Sequence, residues 1–293
     1  MLPDRIGRLP CWRGVPYGLP LSGGLSNEIW KITDDAGDHV VRLGADYPCH
    51  HVDRGRELMT TRAAHAAGFA PAVEHAETGV MVTQFIPSRT WSAADVCAQP
   101  DRVAHLLRDF HTRMPDHVSG PAYLFWVFHV IRDYARTLHG VDSPHLATLP
   151  PWLDRARAWE AAQVPLPIIF GHNDMLPANI LDDGARLWLI DYEYAGFSTA
   201  LFDLAGTASN AGMDAAQARA LLRAYFGSDP AKDLIRAFDA MQCASLLREA
   251  MWAMVSDHFL SAPGVDYRAY AAENMARLAE AAARYDSIHG SEP

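Results

Sequence analysis

The chain has 293 residues, 49% of them hydrophobic, and a formal net charge of −10. That length and composition suffice for one large core or two lobes and exclude a disordered chain. The acidic balance argues against nucleic acid or an anionic membrane as the main partner, since both reward clustered Lys and Arg, and it is compatible with a cationic substrate.

In chain order, a loop rich in Gly and Pro leads into SGGLSNEIWKITDDAGDHVVRL, two β-rich runs split by DDAGD, the chemistry of a hairpin. Residues 53–67 carry helix formers and stop at Gly68, and FAPAVEHAETGVMVTQFIP returns to strand-like segments. The order is therefore β, β, α, β, β. From about residue 92 the pattern is helical, broken by a hairpin-like stretch at 179–191. The expected fold class is α+β with two lobes: a β-rich lobe over residues 1–87 and a mainly helical lobe over 88–293, divided at Pro87 and Ser88.

Four Cys residues (Cys11, Cys49, Cys97, Cys243) are scattered without a CxxC pair, and no HExxH run is present, so they read as reduced thiols. The opening MLPDRIGRLP lacks an apolar signal core, and no run approaches the ~18 apolar residues of a membrane span. The expected location is the cytoplasm.

Chemistry concentrates in GHNDMLPANIL (171–181) and IDYEYAG (190–196), where polar groups are framed by apolar residues. A turn at Asp182, Asp183 and Gly184 places Asn179 near the level of Asp191. If the strand continues, Asp191 and Glu193 share one face, where an amide oxygen and carboxylates can hold Mg²⁺. Asp174 is near enough to share that cavity as a separate base, the layout phosphoryl transfer requires. Glu193 reads equally as a second metal contact or a structural acceptor, and His172 and Asp203 read better as loop-fixing groups than as catalysts. Upstream, Gly23 and Gly24 suit a phosphate loop or an ordinary turn. Arg42 can reach phosphates from the following strand, with Glu57 on the next helix as its partner or as half of a surface ion pair.

These motifs together resemble the choline and ethanolamine kinase group, within the wider aminoglycoside phosphotransferase and protein-kinase-like fold. The resemblance runs nearly the whole length. It implies ATP and Mg²⁺ as cofactors, Asp174 as catalytic base, and Asn179 and Asp191 on the metal. It also implies a phosphate loop at Ser22, Gly23, Gly24, Ser26 and Asn27, and a nucleotide contact at Arg42. Gln84, Phe85 and Ile86 match the hinge beside adenine, and Ile190 adjoins the metal segment. In SLLREAMWAMVSDHFL the stripe Leu247, Met251, Met254, Val255 and His258 has helical spacing and should face the core, with Arg248, Trp252 and Phe259 on its flank. The resemblance matches Trp252 to an aromatic wall for a quaternary ammonium, with Tyr267, Tyr270 and Tyr194 as further walls, and Arg248 and Glu193 are counted with them as candidate substrate contacts. Val255 stands where a second aromatic is expected. Choline is the favoured acceptor and ethanolamine the next. An aminoglycoside or thiamine kinase is the alternative, and a catalytically silent nucleotide-binding regulator is the alternative of a different class.

Overall fold

The computed structural model describes residues 2–21, 27–262 and 264–290. After a short helix α1 (Asp4–Gly7) come strands β1 (Tyr17–Leu21), β2 (Glu28–Asp34) and β3 (Gly37–Leu43). Helix α2 (Arg54–Ala66) follows, then β4 (Val73–Glu77) and β5 (Val80–Gln84). The five strands form one antiparallel sheet in the order β1-β2-β3-β5-β4. The β2–β3 turn is built as the sequence suggests: the Asp34 carboxylate accepts from the N–H groups of Ala36 (2.7 Å) and Gly37 (3.2 Å), and Gly37 takes φ +137°. Asp53 caps α2 by accepting from the Arg56 N–H at 2.6 Å. The segment Tyr17–Leu21, expected to be loop, is instead edge strand β1. An edge strand has one side with no ladder, so Pro20 is tolerated there.

Register assigns the two faces of this sheet. Directly opposed residues share a face, so Leu21, Ile29, Arg42 and Met81 lie on one side, together with Leu19, Lys31, Val40 and Thr83. The opposite side carries Trp30, Ile32, Val41 and Val82, which pack with Ile6 and Leu9 into a small core of their own. One face is therefore closed by the N-terminal segment, and the face bearing Arg42 looks elsewhere.

The chain leaves β5 at Gln84 and enters β6 (Arg89–Thr90), which already pairs with a sheet of the helical part. Helices α3 (Ala93–Ala98), α4 (Pro100–Arg113), α5 (Val127–Gly140) and α6 (Pro150–Ala161) follow. Then come β7 (Ile168–Gly171), β8 (Ile180–Asp182), β9 (Leu187–Leu189) and β10 (Gly196–Thr199). Four helices complete the chain: α7 (Ala200–Ala211), α8 (Ala215–Phe226), α9 (Lys232–Phe259) and α10 (Tyr267–His289). The large core spans this region, with α7 and α9 buried over most of their length. The fold is mixed α and β with two lobes. Among the described residues no helix is long and apolar enough to cross a membrane.

Along α9 the expected stripe holds at Leu247, Met251, Met254 and Val255, whereas His258 lies at the exposed end of the helix. Arg248 and Trp252, expected on the flank, are also buried, while Phe259 is exposed. The helix is enclosed on all sides by α5, α7 and α10, so its middle has no solvent flank.

Candidate active site

Two short antiparallel pairs bring the polar motifs together. Strand β7 pairs with β10, setting Gly171 opposite Gly196, and β8 pairs with β9, setting Ile180 opposite Leu189. The Ile190 N–H donates to the Asn179 carbonyl at 3.1 Å, so Asn179 stands one residue from the level of Asp191, close to the sequence expectation. The loop after β7 is clamped from α7. The Asp203 carboxylate accepts from the backbone N–H groups of His172 (2.8 Å) and Asn173 (2.7 Å) and from His111 Nε2 (2.8 Å). Burial opposes its ionisation, yet the His111 contact and these N–H groups hold the Asp203 carboxyl below its ordinary range. His172 Nε2 donates to the Ile190 carbonyl at 2.9 Å and binds the two motifs to each other.

Asp174 is thereby fixed at the end of the loop. Asn179 Nδ2 donates to its carbonyl (2.9 Å) and to its Oδ2 (3.3 Å). Burial pushes the Asp174 carboxyl up to about 7; Arg248 works against the rise, and Glu249 and Glu193 add to it. A base poised near neutrality is suited to taking a proton from a hydroxyl. With its amide nitrogen engaged, Asn179 has Oδ1 to offer an ion.

The strand does not continue through Asp191. Its backbone takes φ +69°, a left-handed turn that a non-glycine residue adopts only at a cost. Asp191 and Glu193 therefore do not alternate as strand neighbours: Glu193 turns toward α2 and accepts from Arg54 Nη1 (2.8 Å) and Asn27 Nδ2 (3.2 Å). Its structural pairing accounts for its burial. By contrast, Asp191 Oδ1 is buried without a hydrogen-bond partner among the described residues. Burial, with Glu193, Glu57 and Asp174 nearby, holds the Asp191 carboxyl well above its ordinary range. An orphaned carboxylate oxygen amid like charges fits a hard cation. No three His, Cys, Asp or Glu side chains among the described residues form a closed metal cage. An ion on Asn179 and Asp191 would take the rest of its coordination from water or phosphate oxygens, the usual habit of Mg²⁺.

Arg42 faces this carboxylate cluster from the sheet. Its Nη2 donates to Glu57 Oε2 at 2.7 Å, and its Nη1 to Asn27 Oδ1 at 3.4 Å. The pair is buried rather than superficial. Glu57 also accepts from Arg54 Nη1 at 2.7 Å, so Arg54 joins Glu57 to Glu193. Arg54 was missed in the sequence, although it stands one helical turn before Glu57. Ser22, Gly23, Gly24 and Ser26 lie outside the described residues. On the Arg42 face, Leu19 and Leu21 are 75% and 41% exposed, two apolar side chains open to solvent. Gln84 does not join it. Opposed to His39, its side chain lies on the other face, and its N–H donates to Ala72. The Phe85 N–H donates to Asp38, and the Lys31 ammonium sits 4.0 Å over the Phe85 ring. Ile86 is buried just beyond.

On the other side of Asp174, Trp252 Nε1 donates to Tyr194 Oη at 2.9 Å. The indole meets Tyr267 and Tyr270 edge-on, at 5.9 and 6.3 Å between centroids, and His50 at 5.3 Å. The Arg248 guanidinium lies 4.3 Å over the Tyr194 ring. The aromatic group expected from the sequence exists, and one of its faces already carries a cation. Glu249, also missed in the sequence, accepts from Arg248 Nη1 (2.9 Å) and Tyr270 Oη (2.8 Å).

A model of the phosphotransferase enzyme family matches residues 18–238. The chain belongs to that family. Among curated relatives it is 26% identical over 204 residues to a probable ethanolamine kinase of Arabidopsis thaliana, covering 63% of this chain and 53% of that protein. It is 32% identical over 192 residues to ethanolamine kinase 2 of Mus musculus, covering 62% and 50%. The chain spans about half the length of these two relatives. Among solved structures, a choline/ethanolamine kinase family protein of Mesorhizobium loti superposes with a TM-score of 0.77 at 27% identity, covering 98% of this chain and 97% of that one.

Proposed function

We propose that this protein transfers the γ-phosphate of ATP to the hydroxyl of a small amino alcohol, with Mg²⁺ held by Asn179 and Asp191. The observation that carries this reading is the buried Asp191 Oδ1, without a partner among the described residues, together with the Asn179 contact to Asp174. Mg²⁺, when bound, would neutralise phosphate charge. Asp174 takes the hydroxyl proton, and the exposed Leu19 and Leu21 cover the nucleotide from the sheet side. Arg42 supplies a cation beneath them. The nucleotide-binding part is assigned to residues 1–87 and the acceptor part to 88–293.

Ethanolamine is preferred here to choline. One face of Tyr194 is covered by the Arg248 guanidinium, which competes with a quaternary ammonium for that ring. The Glu249 carboxylate suits a primary ammonium that can donate hydrogen bonds. A screen of ATP consumption across ethanolamine, choline, thiamine and an aminoglycoside tests the assignment. Asp174→Asn should keep nucleotide binding and lower transfer by ~10²–10⁴-fold; near-normal turnover in that variant, or turnover of the aminoglycoside alone, overturns it.

A further inference from the structure

Arg248 is buried within α9, 3% exposed, and only part of its guanidinium is used. Nη1 pairs with Glu249, which is itself held by Tyr270. Nε and Nη2 are buried and have no hydrogen-bond partner among the described residues. These two groups form the side edge of the guanidinium, where parallel N–H donors match a carboxylate or phosphate through two bonds at once. The neighbours also place the guanidinium in the acceptor half of the site. Arg248 rests on the Tyr194 ring, and the Tyr194 carbonyl accepts from Asn173, the residue before Asp174. Burial disfavours the guanidinium charge, but Tyr134, Glu249, Tyr194 and Asp174 around it hold its pKa above the ordinary value. A stacked, permanently charged group with two donors unmade among the described residues is costly as packing, because a core position would be filled at lower cost by an apolar side chain.

We propose that the free edge of Arg248 receives a two-oxygen anion beside Asp174, either the phosphoryl group delivered to the acceptor or a carboxylate carried by the acceptor, an assignment that rests on the phosphotransfer reading above. Three probes separate the sources on the full chain, by calorimetry and without turnover. O-phosphoethanolamine adds a phosphate to ethanolamine, and L-serine adds a carboxylate to it. Wild type should bind at least one of these two more tightly than ethanolamine. Arg248→Lys keeps the charge but loses the paired donors, and should weaken that probe by ~10-fold or more beyond any change in ethanolamine affinity, the scale of a charge-assisted contact. Loss confined to O-phosphoethanolamine identifies the transferred group as the source, and loss with L-serine identifies the acceptor's carboxylate. Arg248→Met replaces the Lys variant if melting curves show that the latter is unfolded. Equal affinities in wild type and a folded variant overturn the inference, as does a wild type that binds neither anion more tightly than ethanolamine. Absence of ATP turnover with every acceptor would instead remove the phosphotransfer reading and leave the binding result to be judged separately.

Discussion

Asp191 is a residue whose local cost points to its use. Its carboxylate has a buried, unpartnered oxygen, and its backbone sits at φ +69°. Burial and the surrounding carboxylates raise its folded pKa well above the ordinary value. The unfolded chain, with a carboxyl near ~4, releases this proton first as pH rises. Over that window the folded state holds more protons, so the ligand-free protein should lose stability as pH increases from about 4 upward. Asp191→Asn keeps a side chain tolerant of the left-handed region and removes the charge. It should flatten that pH slope and raise the ligand-free melting temperature, by ~2–4 °C for each kcal/mol recovered, while abolishing Mg²⁺-dependent nucleotide binding. Thermal melts at several pH values and calorimetry with and without Mg²⁺ check both halves; a lower melting temperature at neutral pH would show the carboxylate to be stabilising instead.

At the scale of elements, the first turn of α2 joins the two lobes. Asp53 caps it, Arg54 bridges Glu57 and Glu193, and Arg56 donates to the Glu193 carbonyl at 3.0 Å. The Arg54, Glu57 and Glu193 side chains are 10%, 1% and 6% exposed. Removing one partner of a buried pair typically costs ~3–5 kcal/mol, because the remaining charge is uncompensated. Arg42 still compensates Glu57, so Arg54→Met should fall at the lower end, with a raised KM for ATP. A melting curve and steady-state kinetics test this, and an unchanged KM would separate the bridge from the nucleotide. Helix α9 makes the opposite kind of contribution. Trp252 is 5% exposed and hydrogen-bonded to Tyr194, so Trp252→Leu should destabilise the protein by ~2–5 kcal/mol, the range for large core truncations. A stable variant with a selective rise in acceptor KM would restore the wall reading favoured by sequence.

Across the whole molecule, the β-sheet has one face sealed by Ile6 and Leu9 and the other open at Leu19 and Leu21. On the proposed reading these exposed apolar side chains contact the nucleotide. Saturating ATP at ~100 times its Kd should add ~2.7 kcal/mol of stability. Leu19→Asp should weaken that nucleotide-induced shift without altering the ligand-free melting temperature, since an exposed position has little packing to lose. A ligand-free loss equal to the loss in the shift would place Leu19 in the core instead.

What could be read from the sequence follows the range of the interaction involved. The DDAGD turn and the approach of Asn179 to Asp191 depend on residues a few positions apart, where backbone chemistry decides. Two lobes and the approach of the two polar motifs were legible for that reason. Strand β1 was not, because an edge strand with a proline is made by its partner β2 rather than by its own propensity. The direction of Glu193 was also hidden: Arg54 is 139 positions away, and the left-handed turn at Asp191 cancels the alternation a strand would impose. The acceptor side depended still more on packing. His50 meets Ser256 across 206 positions, and periodicity on α9 says which residues share a stripe but not that helices enclose the other side too. Local sequence therefore determined the polar motifs and the spacing of their residues. Only the tertiary structure decided which charges pair, which ring already holds a guanidinium, and that Asp191 Oδ1 and Arg248 Nε and Nη2 are among the buried atoms without partners among the described residues, because each of those depends on atoms brought together from distant parts of the chain.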